Sequence, residues 1–478
     1  MAGPSPQPPV VLWFRDDLRL ADNPALGAAI EARAPLICLY VFEDGGERRP
    51  LGGASHWWLA GSLRALEADL DRRGQRLVLR RGTASAVVPA LVKETGAVAV
   101  HCARRYGMAE RAVDAVIANS LRARGVELRV HTGTLLFEPE ALHTDAGRPA
   151  RVYAAFNRRL QAVGPPRRPK PASRTLPPPD ENLRSESLDA WHLEPTAPDW
   201  ASGLRHAWQP GEAGAQKNLA AFVKTRLQHY ATARDRVDNL GSSRLSPHLR
   251  FGELSPSQIW HAVNTAKSHS GADKFLSELA WRDFAYHQLT EFPEMATRNL
   301  RESFDAFPWR DDAGALRAWQ RGRTGYPIVD AAMRELWITG WMPNRLRMVT
   351  ASFLVKHLLI DWRRGEEWFW DTLVDADPAN NAINWQWVAG SGIDSTPYFR
   401  IFNPILQGRR VDPEGDYVRR WLPELAGVPT KHIHAPWELS AIELAGFGVT
   451  LGKTYPEPTV DHAHARQRAL AALRNIRT

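Results

Sequence analysis

The chain is expected to fold as an α/β domain with a doubly wound parallel sheet, followed by an all-helical domain. Three observations predict this. Short apolar runs alternate with helical patterns about five times before residue 139, the pattern of a parallel sheet with crossover helices. A proline-rich stretch, GPPRRPKPASRTLPPPD at 164–180, then interrupts regular structure. From 215 to the end the spacing of apolar residues is mostly helical. A chain of 478 residues is in any case too long for one small core.

The first strand is read over 10–17 (VVLWFRDD), apolar and ending in charge. An Asn-Pro turn opens an Ala-rich helix over 23–33, and a second strand follows at 36–42. SHWWLAGSLRALEADLDRRG places Trp58, Leu59, Leu63, Leu66 and Leu70 at helical spacing before Gly74. Further strands are expected at 76–80, 97–103 and 126–130. No G-x-G-x-x-G follows the first strand, so an ordinary dinucleotide site is not expected. The expected divisions are an α/β domain over 8–138, a linker over 139–212 and a helical domain over 213–478. In the last, Pro327 and Pro343 mark helix starts, and Gly340 and Gly365 are read as stops. IVDAAMRELWIT is read as one helix and NRLRMVTASFLVKHLLIDW as another.

Hydrophobic and charged shares of 44% and 24% are ordinary for a soluble globular protein. Tryptophan stands out: 19 residues, ten of them between Trp281 and Trp387. Such a concentration builds a large core, or stacks on flat ligands, or passes electrons. The formal charge of +8 favours a polyanionic partner, although much basic charge is simply solvated surface. Cys38 and Cys102 sit alone in apolar runs, which gives neither metal spacing nor a disulfide framework and suits a reducing compartment. The start, MAGPSPQPPV, does not read as a signal peptide, and no run of 18 apolar residues reads as a membrane span.

Four local patterns carry chemistry. In residues 375–404, Trp385 and Trp387 stand two apart on a helical pattern, so at about 100° per residue they face nearly opposite ways. Asn344, Arg347 and Met348 share one helical face, either an amphipathic edge or a pocket wall. Gly-Ser-Ser-Arg-Leu-Ser at 241–246 is a turn before a helix, a cap or a phosphate cradle. Glu278, Trp281 and Arg282 bring an acceptor, a stacking ring and a cation onto one face.

The ordered set GSSRLS, ELAWRDF, TGYPIVDAAMREL, GWMPNRLRM, LLIDW, DADPANN and NWQWVAGSGIDSTPYFRIFNP resembles DNA photolyases and cryptochromes, and WFRDDLRLADNPAL resembles that family's N-terminal strand and loop. The match spans nearly the whole chain. The resemblance implies FAD bound in a U-shape inside the helical domain. Tyr230, Ser242, Ser243, Arg244, Leu245 and Ser246 would hold the diphosphate and ribityl end, with Arg282 a further contact. Arg347 and Asp375 would pair beside the isoalloxazine, Asp377 would hold the ring edge, and Asn381 would face flavin N5. An amide there can donate or accept, so it tolerates a protonated or an anionic flavin. A photoreduction wire would run from Trp385 through Trp362 to Trp309.

The implied activity is light-dependent repair of ultraviolet-damaged DNA, in which photoexcited reduced FAD gives an electron to a flipped-out cyclobutane pyrimidine dimer. Trp281 and Trp387 would pack on the dimer, Glu278 and Asn344 would bond the base edges, and Met348 would lie against the thymine rings. Arg234, Arg345, Arg400, Arg409 and Arg410 are candidates for phosphate contacts. The face Asn344–Met348 offers no histidine acid, which favours cyclobutane dimers over (6-4) photoproducts. The alternative is a cryptochrome-type blue-light photoreceptor without repair. A second, light-harvesting chromophore is also implied. Methenyltetrahydrofolate is expected, with a deazaflavin as the alternative, and Glu110 is the expected pterin contact, although Ala109 stands where relatives carry Asn. Residues 144–159 also depart from the family's usual Gly-rich, aromatic segment. A cytoplasmic monomer, nucleoid-associated when on DNA, is expected.

Overall fold

The five apolar segments pair in parallel, in the order β3-β2-β1-β4-β5, in the computed structural model. It describes residues 7–43, 45, 49–143, 147, 149–179, 183–265, 270–394 and 399–476. The strands are β1 (Val10–Phe14), β2 (Leu36–Phe42), β3 (Leu77–Arg81), β4 (Ala99–Ala103) and β5 (Glu127–His131). The helices between them are α1 (Pro24–Glu31), α2 (Gly53–Asp71), α3 (Ala84–Thr95) and α4 (Met108–Arg122). Alternate residues go to opposite faces. Leu12, Phe14, Cys38 and Tyr40 pack with Trp58, Leu63 and Leu66 of α2, whereas Trp13, Ile37 and Leu39 pack with Leu91 of α3 and Ile117 of α4. That double covering is why β1 and β2 read as unbroken apolar runs. β5, one of the two edge strands, carries Glu127 and Arg129, which blunts edge-to-edge pairing. Asn23 caps α1 by accepting from the Leu26 N–H at 3.0 Å, with Pro24 at the first helical position.

The chain leaves β1 on one side towards β2 and β3 and on the other towards β4 and β5. The carboxyl ends of β1 and β4 therefore flank a topological switch point, where crevices form in such sheets.

The expected linker is not a free tether. Residues 144–146, 148 and 180–182 of it lie outside the described residues, but Tyr153–Val163 forms a helix, α5, which the sequence reading had not assigned. It docks on the helix Ser270–Glu291, with Phe156 edge-on to Phe284 at 5.2 Å. An ion pair and buried hydrogen bonds hold the two halves together. Arg250 donates to Asp16 just beyond β1 (2.8 Å) and to the carbonyl of Ala376 (2.7 Å). The fully buried Glu253 accepts from Trp58 of α2 (3.1 Å) and from the Gly211 N–H (2.7 Å).

Two helix readings are corrected. The stretch from Asn344 is not one helix: Asn344–Ser352 is α-helical, Phe353–His357 is a π turn, Leu359 adopts φ +56°, and a new helix runs Trp362–Thr372. Gly365 lies inside that helix and does not stop it. A Cβ there would meet the Trp385 ring at 2.1 Å, so the glycine is a packing slot. Gly340 does end the helix Pro327–Thr339, at φ +67°.

The π turn carries a buried ammonium. Lys356 donates to the Arg400 carbonyl at 2.5 Å and lies 4.2 Å from the centre of the Phe399 ring. Burial, and secondarily the Arg400 charge, push it down to about 7. A lysine depressed in the folded state costs stability below that value, and the cost vanishes once both states are neutral. Lys356→Met is therefore expected to stabilise the protein near pH 6 by roughly 2–4 kcal/mol, with the gain fading as the pH rises from about 7 and gone above pH ~10. Denaturant midpoints across that range measure it.

Candidate functional site

Three cavities meet in the helical domain. The largest of them, about 440 Å³, has Trp281, Met348 and Trp387 on its wall. A second, about 260 Å³, is lined by the whole Ser242–Ser246 turn and by Tyr230. A third, about 90 Å³, is lined by Asn381 and Trp385. All three share Asn344, Asn380 and Asn384, so they form one branched space.

The helix Asn380–Ala389 explains the branching. Asn380, Asn384 and Trp387 follow one another at i, i+4 and i+7 and face the larger cavity; Asn381, Trp385 and Val388 repeat that spacing one residue later and face the smallest. Asn380 and Asn384 are site residues that the sequence reading did not assign. The signal for them was present: they share the face of Trp387 at helical spacing.

The acid pair sits on the loop before this helix. Arg347 Nη2 donates to Asp375 Oδ2 at 2.8 Å, and Arg347 Nε is held by the Met342 carbonyl at 2.8 Å. Asp375 Oδ1 is buried with no hydrogen-bond partner among the described residues. Asp377 is fully engaged: Oδ1 accepts from the N–H groups of Ala379 (3.0 Å) and Asn380 (2.7 Å), and Oδ2 from the Tyr286 hydroxyl at 2.8 Å. It thus anchors the start of the helix while lining the cavity wall.

The serine turn bends round the second cavity because Arg244 adopts the left-handed φ of +55°. Asn218 holds that turn, donating to the Arg244 carbonyl at 2.9 Å. The Arg244 guanidinium lies 4.0 Å from the Trp208 ring centre, and burial lowers its proton affinity. Its Nε is a second buried polar atom without a partner among the described residues. Arg282 also lines this cavity and is fixed by the Thr134 carbonyl at 2.8 Å. The orphaned carboxylate oxygen and guanidinium N–H belong to residues that line the same cavity as Ser242, Ser243 and Ser246, a set that fits a ligand with a donor-bearing ring and an anionic middle.

In the larger cavity Trp281 already has one face covered. Tyr153 of α5 stacks on it at 3.7 Å between centres and 6° between planes, and the Tyr153 hydroxyl donates to the Ser277 carbonyl at 2.9 Å. Glu278 is not free to bond a base on its own: it pairs with Arg234 and, at 2.8 Å, with Lys274. Arg234 lies within the cavity wall beside it, and Arg345 pairs with Asp235. Arg400 is partly buried and Arg410 exposed, and Arg409 lies 3.3 Å from Glu438.

Trp385 is nearly buried, with its ring 5.0 Å from Phe369 and 6.2 Å from Trp319. Trp362 is wholly buried and donates to Asn299 Oδ1 at 2.9 Å; it lies one turn before Gly365, against which Trp385 packs. Trp309 packs half-buried at the rim of the same core, 4.3 Å from Phe307. Glu110 lies apart, in a cleft of about 610 Å³ at the switch point, whose walls include Asp16 after β1 and Gly107 after β4.

A helical domain that encloses a cofactor-sized branched cavity and rests on a parallel α/β sheet defines a class of two-domain, cofactor-binding protein. The chain belongs to the DNA photolyase and cryptochrome family. Residues 10–177 match the family model for DNA photolyase, and residues 275–475 match the FAD binding domain of DNA photolyase. A deoxyribodipyrimidine photo-lyase of Agrobacterium fabrum is 51% identical over 97% of both chains. Cryptochrome-1 of Arabidopsis thaliana is 38% identical over 97% of this chain and 70% of its own length. Among solved structures, a bacterial class III photolyase from Agrobacterium tumefaciens superposes with a TM-score of 0.96 at 50% identity, covering 100% of this chain and 99% of that one. Among the described residues no helix is long and apolar enough to cross a membrane.

Proposed function

We propose that this chain is a light-dependent DNA-repair enzyme that splits cyclobutane pyrimidine dimers. The observation that carries the reading is the pair of cavities on adjacent faces of one helix. The face with Asn381 and Trp385 meets the space suited to FAD, and the face with Trp387 meets a second space lined by Trp281, Asn344 and Met348. When bound, reduced FAD supplies under blue light an electron that opens the cyclobutane ring and then returns.

The residues of the chain do the rest. Asp375 Oδ1 offers an acceptor to a ring N–H, and Arg347 holds that carboxylate in orientation. The Ser242–Ser246 turn and Arg244 hold the diphosphate. Tyr153 braces the plane of Trp281, so that one indole face is presented to a flipped base at little entropic cost. Arg234 and Lys274 fix the Glu278 carboxylate as an acceptor for base-edge donors. Arg345, Arg400, Arg409 and Arg410 supply the salt-dependent contacts to phosphate. Trp385, Trp362 and Trp309 carry electrons to oxidised flavin. A photoreceptor without repair would not need Trp281, Met348 and Trp387 gathered on one empty wall, and that observation favours repair over signalling. The antenna is assigned to the switch-point cleft beside Glu110, with a folate as occupant; the absorption spectrum of the released chromophores tests it.

The deciding experiment measures dimer content in ultraviolet-irradiated DNA, with pre-reduced protein, before and after blue light. Light-dependent loss is expected; its absence would leave the photoreceptor reading. Trp387→Ala is expected to weaken binding of dimer-containing DNA about tenfold or more, since stacking on a base contributes roughly 1–3 kcal/mol.

A further inference from the structure

An arginine from the α/β half of the chain reaches the flavin pocket through one carboxylate. Arg49 holds Glu366 with two parallel bonds, Nη1 to Oε1 at 2.7 Å and Nη2 to Oε2 at 2.8 Å. The Arg49 guanidinium also lies 4.2 Å from the centre of the Trp370 ring, whose N–H donates to the Pro50 carbonyl at 2.8 Å. The arginine is thus clamped on both sides, with 36% of its side chain exposed against 3% for Glu366. The same Oε1 of Glu366 accepts from Asn381 Nδ2 at 2.8 Å, and the Glu366 carbonyl accepts from that nitrogen at 3.0 Å.

Both partners of the Asn381 amide nitrogen are oxygens, a main-chain carbonyl and a carboxylate whose two oxygens already accept from Arg49. Turning the amide over would set its oxygen against two oxygens. Only one orientation survives, with Nδ2 towards Glu366 and Oδ1 left for the cavity that Asn381 lines.

We infer that Glu366 is a positioning residue that fixes Asn381 as a hydrogen-bond acceptor towards flavin N5 and so favours the N5-protonated form of the flavin. The inference rests on the proposed reading in one respect, that Asn381 faces the flavin. It narrows what the sequence left open, because the amide, which in isolation can donate or accept, is restricted here to accepting. Two effects of Glu366 act in the same direction. The locked acceptor stabilises an N5–H, and the carboxylate charge opposes an anionic ring.

The test is spectroscopic and needs no DNA. Flavin-loaded protein is partly photoreduced at one neutral pH, and the ratio of N5-protonated (blue) to deprotonated (red) singly reduced flavin is read from the absorption spectrum. Glu366→Gln, which removes the charge at constant shape, is expected to lower that ratio about tenfold. Arg49→Met leaves the carboxylate charge uncompensated and is expected not to lower it, and Arg49→Lys is expected to restore the parent value. A purely structural role would move the two sites alike. An unchanged ratio in Glu366→Gln, or an equal fall in Glu366→Gln and Arg49→Met, overturns the inference. Should Glu366→Gln fail to retain flavin, Glu366→Asp draws the carboxylate back from the amide, and a ratio identical to the parent's would overturn it equally. Parent protein that binds flavin and repairs dimers while the variants show no difference would sink this inference alone. Parent protein that binds no flavin would sink the underlying reading.

Discussion

Asp375→Ala protein is expected to purify with less than a tenth of the flavin bound by the parent. The side chain of Asp375 is buried, and one of its oxygens is committed to Arg347 at 2.8 Å. The other is the unpartnered acceptor in the cavity wall. Deleting the carboxylate removes the ligand's acceptor and leaves the Arg347 guanidinium beside the cavity without its counter-charge. Breaking a buried pair from one side costs roughly 3–5 kcal/mol; Arg347 is about a quarter exposed, so the lower end of that range applies here. Asp375→Asn keeps an acceptor and the shape, and an intermediate flavin content is expected. Visible absorbance per mole of protein is the measurement. Full flavin content in Asp375→Ala would remove Asp375 from the cofactor site.

Gly365→Ala tests the core behind that site, and here the sign of the effect is informative. Judged by helix propensity alone, alanine for a mid-helix glycine stabilises by about 1 kcal/mol. The structure requires the opposite. The new methyl group would lie 2.1 Å from the Trp385 ring and 2.6 Å from Leu354 Cδ2. Trp385 is confined by Phe369 and Trp319 and lines the smallest of the three cavities, the open space beside it. Overpacking of this kind costs roughly 1–3 kcal/mol or more. A lower Tm is expected together with reduced flavin content, measured by thermal unfolding and absorbance. A Gly365→Ala protein more stable than the parent would show that the Trp385 slot is not tight.

The α/β domain was legible because its signals are local. Runs such as LICLYVF are apolar throughout only when both faces of the sheet are covered, and β1 and β2 lie where such runs lie, whereas the edge strand β5 (ELRVH) is exposed. The helical half was legible as motifs but not in its breaks. Gly365 looks like a helix stop in one dimension, and only the Trp385 ring, twenty residues on, shows why it is glycine. The π turn at Phe353–His357 likewise has no composition signal, because its sequence remains a good helix former. In the site, the opposed tryptophans followed from helix geometry, and the Arg347–Asp375 pair from resemblance. The Tyr153–Trp281 stack and the Arg49–Glu366 clamp join residues 128 and 317 positions apart. Such separations leave no trace in local spacing.

The helix Asn380–Ala389 keeps its two chemistries on separate registers, one residue out of step. Mutation can therefore reach one without the other. Substituting Trp387, which lines the outer cavity and neither of the other two, alters what enters there and leaves Asn381 and Trp385 untouched, so a descendant can lose its grip on DNA and still absorb light and move electrons. Repair and light sensing are in this sense two inheritances written on one helix, and a lineage can keep the second after discarding the first.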